Sequence, residues 1–326
     1  MNNILITGGS GFIGSNLIDR MLSLNKRIIN IDNMNNYYNV HQKEINISSH
    51  YNYSTYQMFP IDILNKESLL EVFIKHRVDI IIHLAAMAGV RPSIEDPILY
   101  QNVNCLGTLN ILEMAKKFGI KKIILASSSS VYGNNKKVPF SESDVVDYAI
   151  SPYAATKKAN EVMGHVYHKL YGIDMIFLRF FTVYGPRQRP DLAIHKFTKM
   201  ILERTSIPFY GDGSSARDYT YIDDIVDGII MAIEYLKCHD NIYEIINLGN
   251  SSPVSLSTMV KTIEDALGIK AIIDKQPMQP GDVDITYADI SKAKSYLGYN
   301  PTTEFSEGIN RFVKWYYDNL YRKDNI

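Results

Sequence analysis

The chain has 326 residues, 46% apolar and 21% charged, with 19 Gly and 12 Pro, the profile of a folded globular protein of one large or two ordinary domains. Its 34 Lys and Arg against 35 Asp and Glu leave a net charge of -1, so no global field draws it to nucleic acid or to an anionic membrane. Two cysteines, Cys105 and Cys238, are too few for a disulfide scaffold and nothing around either resembles a metal-ligand cluster, so no metal site is expected and a reducing cytoplasm fits. The opening MNNILITGGSGF does not read as a signal peptide, and stretches such as IVDGIIMAIEYL are too short or too charged to cross a bilayer, so a soluble protein is expected.

In chain order, short Ile/Leu/Val runs predict strands at 4–7, 27–32, 55–59, 80–84, 122–127 and 175–179. Several are apolar at consecutive positions, as strands covered on both faces are. Helices are predicted from near Phe12, Lys66, Pro97 and Pro152, the last with Ser151 as N-cap and Pro152 at the first helical position. Alternating strands and helices of this kind give an α/β Rossmann fold with a doubly wound parallel sheet. After Tyr184 the rhythm loosens into loops such as GPRQRP and GDGSSARD. Residues 1–180 are therefore expected to form the Rossmann domain and 181–326 mainly a smaller C-terminal α/β substrate-binding lobe, with 221–250 returning to the sheet. The longest biased runs, Ser127 to Ser130 and NMNNYYN, are too short to be linkers.

TGGSGFIG places Gly8, Gly11 and Gly14 directly after the first strand and at the start of an apolar-periodic helix. A first βα turn must bend tightly, admit a pyrophosphate against bare backbone and let helix and strand pack closely, which glycine alone permits. The helix N-terminus, with Phe12 and Ile13, then offers free N–H groups to the phosphates. Asp32 lies 18 residues beyond Gly14, at the end of the second strand, with Asn33 next to it. An acidic side chain there binds the adenosine ribose hydroxyls, so NAD is preferred to NADP.

SPYAATKKAN puts Tyr153 and Lys157 four residues apart on one helix face, where both can meet one ligand. A tyrosine with an ordinary pKa of about 10 is a poor base. A neighbouring ammonium and a positively charged nicotinamide are expected to favour its phenolate and let it exchange a proton with a sugar hydroxyl.

With these motifs in this order, almost the whole chain resembles the extended short-chain dehydrogenases, in particular the NAD-dependent nucleotide-sugar epimerases and dehydratases. The resemblance implies that Asp62 and Ile63 flank the adenine, that Leu84, Ala85 and Ala86 of HLAA line the cofactor, and that Asn104 belongs to the cofactor site by supporting the neighbouring strand. Alignment on VYG implies Ser128 as the catalytic hydroxyl beside Tyr153 and Lys157, with Ser129 and Ser130 as substrate contacts, although four adjacent serines leave the register open. It further implies a homodimer built from the helices near Pro97 and Pro152, and a role in polysaccharide biosynthesis.

With NAD retained, removal of the proton from the C4 hydroxyl and of hydride from C4 leaves a 4-keto sugar that can be reduced on its other face, so epimerisation needs no further group. Dehydrating relatives carry Asp-Glu where this chain has Ser129 and Ser130, and UDP-xylose synthase carries Glu where it has Ser130. FFTVYGP, with Thr182 where many relatives have Asn, resembles the UDP-glucuronate 4-epimerases, as do AAMAGVRPSIEDP and PMQPGDVDITYADISKA. A uronate beside a diphosphate needs hydroxyl and cationic donors, and Ser129, Ser130, Thr182, Arg91, Arg187 and Arg189 are available. The resemblance also assigns Arg217 to the diphosphate and Asp282 to the ribose or uracil. UDP-N-acetylglucosamine and UDP-glucose 4-epimerases, a UDP-glucuronate decarboxylase and a non-catalytic NAD-binding regulator remain the alternatives. His83 and His195 read as core or loop residues.

Overall fold

A computed structural model describes residues 2–277 and 284–321. The chain runs through β1 (Asn3–Thr7), α1 (Phe12–Ser23), β2 (Arg27–Ile31), α2 (Val40–Ile47), β3 (Tyr56–Phe59), α3 (Lys66–Lys75) and β4 (Ile80–His83). The short helices α4 (Val90–Glu95) and α5 (Pro97–Tyr100) follow, and α5 continues through a π-helical stretch, Gln101–Gly107, into α6 (Thr108–Lys117). β5 (Lys122–Ser128), α7 (Pro152–Tyr171) and β6 (Asp174–Phe180) complete the first half. The second half holds β7 (Thr182–Tyr184), α8 (Ala193–Leu202), β8 (Ser206–Tyr210), β9 (Ala216–Tyr221), α9 (Ile222–Cys238), β10 (Tyr243–Leu248), β11 (Pro253–Ser255), α10 (Leu256–Leu267), β12 (Ile272–Gln276), α11 (Ser291–Leu297) and α12 (Phe305–Tyr316).

Seven strands form one parallel sheet in the order β10-β6-β5-β4-β1-β2-β3, a Rossmann-like arrangement. Winding reverses between β1 and β4, the position where such sheets open a crevice at their carboxyl ends. All residues of β4 and β6 are buried, because helices cover both faces. Along β1 the side chains alternate: Ile4 and Ile6 enter the core shared with α1 and α9, whereas Leu5 enters the one shared with α3 and α6. Each such fully buried Ile or Leu contributes about 1.5–3 kcal/mol.

The strand at 243–248 pairs with β6 from Tyr243↔Met175 to Leu248↔Phe180, so the chain returns to the main sheet after passing through β7 to β9. Two small sheets, β11-β9-β7 and β12-β8, lie in the second half. α7 is capped as its sequence dictates: Ser151 Oγ accepts from Ala154 N at 3.1 Å, Pro152 opens the first turn, and Gly172 closes the helix in the left-handed conformation. Two short helices, α2 and α4, arise where the sequence carried no helical periodicity. Among the described residues no helix is long and apolar enough to cross a membrane.

Candidate active site

The turn after β1 needs its glycines for two separate reasons. Gly8 has φ +74°, and a Cβ there would lie 2.8 Å from Ala85 N. A Cβ on Gly14 would stand 2.3 Å from Gly8 O, so α1 packs this closely on the turn only because the side chain is missing. Asp32, one residue beyond β2, is fixed by Ser10 N at 3.1 Å and Met34 N at 2.9 Å. Asn33 donates to Asp62 Oδ2 at 2.9 Å, tying the loops after β2 and β3 together.

These residues open onto one cleft, lined by Gly8, Gly11, Phe12, Ile13, Gly14, Asp32, Asn33, Asp62, Ile63 and Leu84 to Ala86. The same cleft is lined by Ser128, Ser129, Ser130, Tyr153, Lys157, Thr182 and Arg189. Ser127 Oγ instead donates to the buried Glu161 carboxylate at 2.7 Å. Ser128 Oγ caps the turn that follows β5, accepting from Ser130 N and donating to Ser130 Oγ, both at 3.1 Å, and faces the same cleft as the Tyr153 phenol. The strand's alternation thus directs these two hydroxyls to different partners.

Lys157 Nζ donates to Ala126 O at 2.9 Å and lies 5.8 Å from the Tyr153 ring centre. Burial lowers the Lys157 pKa to about 8, against the attraction of Cys105 and Glu161. The Tyr153 phenol is itself raised by burial; the Ser128 hydroxyl and Arg189 pull the other way, and Tyr37 adds to the rise. The expected downward pull of the neighbouring ammonium is therefore not met in the chain alone, because desolvation outweighs the favourable partners.

Asn104 does not line the cleft. Its buried amide spans Met87, accepting from N at 2.8 Å and donating to O at 3.0 Å, and also donates to Thr156 Oγ1, so it braces the loop after β4 against α7. Arg189 forms a bidentate pair with Asp191 and lies 5.4 Å from the Tyr37 ring centre. The other arginines are not brought into this cleft. Arg187, with φ +68°, turns onto α1 and pairs with Asp19 at 2.7 Å; Arg91 is exposed on α4; Arg217, half-buried on β9, donates to its neighbour's carbonyl, Ala216 O. Asp282 lies outside the described residues. His83 is held between Thr7 and Thr108 hydroxyls with its pKa lowered to about 3 by burial, and His195 hydrogen-bonds Gln188 O, so both are structural.

Tyr37, Tyr38 and Lys43 also line the cleft, contributed by a stretch whose Asn/Tyr richness signalled only bias. The spacing of Lys43 from Asp32 matches no motif, and the loop and α2 that bring them together had no periodic signal. Met87, Ala88 and Gly89 were likewise hidden in a loop of small residues.

The sequence profile described as GDP-mannose 4,6 dehydratase matches residues 5–312. The chain belongs to that family. A UDP-glucuronate 4-epimerase from Thermodesulfobacterium geofontis is 42% identical over 98% of both chains. A solved UDP-glucuronic acid 4-epimerase from Bacillus cereus, in complex with UDP-glucuronic acid and NAD, is 37% identical, with a TM-score of 0.90 over 97% of this chain and 99% of its own. A UDP-glucose 4-epimerase from Thermotoga maritima, solved with UDP-glucose, is 32% identical with a TM-score of 0.88 over 98% and 99%. The GDP-mannose 4,6 dehydratase family thus includes epimerases of this architecture.

Proposed function

We propose that the protein is a nucleotide-sugar 4-epimerase that interconverts UDP-glucuronate and UDP-galacturonate through a 4-keto intermediate, with tightly bound NAD. The observation that carries this reading is one cleft joining a glycine turn and ribose-binding carboxylate to a Ser/Tyr/Lys group. The cradle fits a dinucleotide: bare backbone at Gly8 and Gly14, the N-terminus of α1 for the phosphates, and Asp32 for the adenosine ribose. When bound, NAD supplies a reversible hydride acceptor.

Tyr153 Oη takes the proton of the C4 hydroxyl and returns it after the keto sugar has presented its other face. Ser128 Oγ orients that oxygen, and the phenolate would be favoured once the positive nicotinamide joins the Lys157 ammonium beside it. Ser129, Ser130, Thr182 and Arg189 give the uronate carboxylate three hydroxyls and one cation in the same cleft. With serines at 129 and 130, no carboxylate stands where dehydrating and decarboxylating relatives carry one, which supports retention of water and of the carboxyl group. The likeness to a UDP-glucose 4-epimerase keeps neutral UDP-sugars as the second reading; the higher identity to UDP-glucuronate 4-epimerases, 42% and 37% against 32%, favours the uronate.

Exposed Ile98 and Leu106, beside Val162, Val166 and Leu170 of α7, support a homodimer through this face. The free thiols of Cys105 and Cys238 support a cytoplasmic location, where the product would serve polysaccharide assembly.

The test is incubation with UDP-glucuronate, UDP-N-acetylglucosamine and UDP-glucose separately, without added NAD, followed by proton NMR of the anomeric region. Conversion of UDP-glucuronate alone to UDP-galacturonate is expected. Turnover of a neutral sugar alone would remove the carboxylate assignment, and UDP-xylose would overturn the argument from Ser130.

A further inference from the structure

We propose that Tyr37 is a bar that holds the dinucleotide in place. Its side chain closes over the glycine turn, from the loop after β2 to the loop after β4, so that the hydride taken from a sugar is returned to the same sugar. The inference rests on the NAD-dependent epimerase reading above.

The Asn-rich run after β2 folds as three successive Asx turns: Met34 N donates to Asp32 Oδ1 at 2.9 Å, Asn35 N to Asn33 Oδ1 at 3.1 Å and Tyr37 N to Asn35 Oδ1 at 3.2 Å. Lys43 Nζ ties the last of these acceptors to α2 at 3.1 Å. Held in this way, the Tyr37 hydroxyl donates to Ala88 O, on the loop after β4, at 2.8 Å. β2 and β4 are the two neighbours of β1, so at about 4.8 Å per strand the bond joins loops about 10 Å apart and spans the carboxyl end of β1, where the glycine turn lies. Gly89, with φ +108°, leaves room for the phenol, since a Cβ there would stand 3.0 Å from Tyr37 Oη. Tyr100, 1% exposed, donates to the same Ala88 O at 2.7 Å, and the Arg189 guanidinium lies over the Tyr37 ring at 5.4 Å. Tyr37, Ala88, Gly89 and Arg189 line the cleft, whereas Tyr100 lies behind the loop.

Epimerisation makes retention necessary. Oxidation takes a proton from the C4 hydroxyl and a hydride from C4, and the sugar regains the alcohol level only when both return. Loss of the reduced nucleotide in between would leave a 4-keto sugar and turn the reaction into a net oxidation. A dinucleotide that reaches from Asp32 to Tyr153 passes the glycine turn under the link between Tyr37 and Ala88, which must open before it can leave.

The test mixes the wild type, Tyr37→Phe, Tyr37→Ala and Tyr100→Phe, each purified with its nucleotide, with an excess of isotopically labelled NAD. Mass spectrometry of the protein-bound nucleotide over time gives the exchange rate, and circular dichroism checks the fold. Tyr37→Phe should exchange about five- to tenfold faster than the wild type, the scale of one hydrogen bond, and Tyr37→Ala faster still. Tyr100→Phe loses a bond to the same carbonyl but no group that crosses the cleft, so it should exchange at the wild-type rate. With UDP-glucuronate and no added NAD, Tyr37→Ala should leave 4-keto sugar and free reduced nucleotide in the filtrate and regain turnover when NAD is supplied. Exchange in Tyr37→Ala no faster than in the wild type, or equal acceleration in Tyr100→Phe, overturns the bar. A wild type that holds no NAD, or that converts no UDP-sugar, overturns the reading on which the inference rests, and the wild type alone tells that failure from failure of the bar.

Discussion

Tyr153 and Lys157 share one cleft but respond to burial in opposite directions, the phenol raised and the ammonium lowered to about 8. Replacing Tyr153 by Phe removes the proton acceptor and leaves the ring, so turnover should fall by about 10²–10⁴-fold while bound NAD is retained. Unchanged turnover, with the nucleotide content measured in parallel, would show that another group takes the proton, and no turnover in the wild type either would return the protein to the class of non-catalytic binders. Lys157 predicts a trade between stability and activity. Its folded pKa of about 8 lies below the ordinary 10.5, so between these values the unfolded chain binds more protons and the wild type gains stability as pH rises. Lys157→Met should therefore unfold about 1–2 kcal/mol later than the wild type at pH 7, once the lost hydrogen bond to Ala126 O is allowed for, and the advantage should shrink by pH 9.5. Urea unfolding at both pH values checks this, and an advantage that grows with pH contradicts it. The pair was legible in sequence because four-residue spacing on a capped helix fixes a shared face. The arginines of GPRQRP were not: only the left-handed backbone at Arg187 sends that side chain to Asp19, while Arg189, two residues on, reaches the cleft.

Elements hold the site through contacts that reach across the sheet. Arg179 on β6 and Glu161 on α7 are each 1% exposed, paired through Arg179 Nε and Nη2 at 2.8 Å, and the same carboxylate holds Ser127 beside the catalytic strand end. Glu161→Leu strands a buried guanidinium and should cost about 3–5 kcal/mol in urea unfolding, most of it recovered when Arg179→Met is added. If the double variant is no more stable than the single one, the loss lies in packing and not in the uncompensated charge. At the glycine turn, Gly14→Ala puts a methyl 2.3 Å from Gly8 O, so α1 must move off the turn and bound nucleotide should be lost with it; mass spectrometry of the released nucleotide reads this directly. The strands and the glycine turn were visible beforehand because apolar runs bounded by Gly, Pro and Asn have few alternatives. The π-helical stretch between α5 and α6 was not, since an inserted residue preserves apolar periodicity on either side while rotating one side against the other.

At the scale of the whole molecule, the outer face of α7 is the feature that the main sheet leaves unexplained. Val162, Val166 and Leu170 fall at four-residue intervals and are 56%, 41% and 66% exposed, beside Ile98 at 69% and Leu106 at 43% on the adjoining helix. An apolar stripe of this length on two packed helices is covered most simply by its own copy about a twofold axis, which makes a four-helix contact. The opposite face of α7 carries Lys157 and Glu161 into the core, so the dimer would brace from outside the helix whose inner side positions the site. Val166→Glu places a charge in the middle of the stripe at an exposed position, where the monomer fold tolerates it. Light scattering should give twice 37.1 kDa for the wild type and 37.1 kDa for the variant, with native circular dichroism and a lowered unfolding temperature. A wild type that remains a monomer at micromolar concentration would leave the stripe to another partner, and a variant that remains a dimer would place the twofold contact elsewhere.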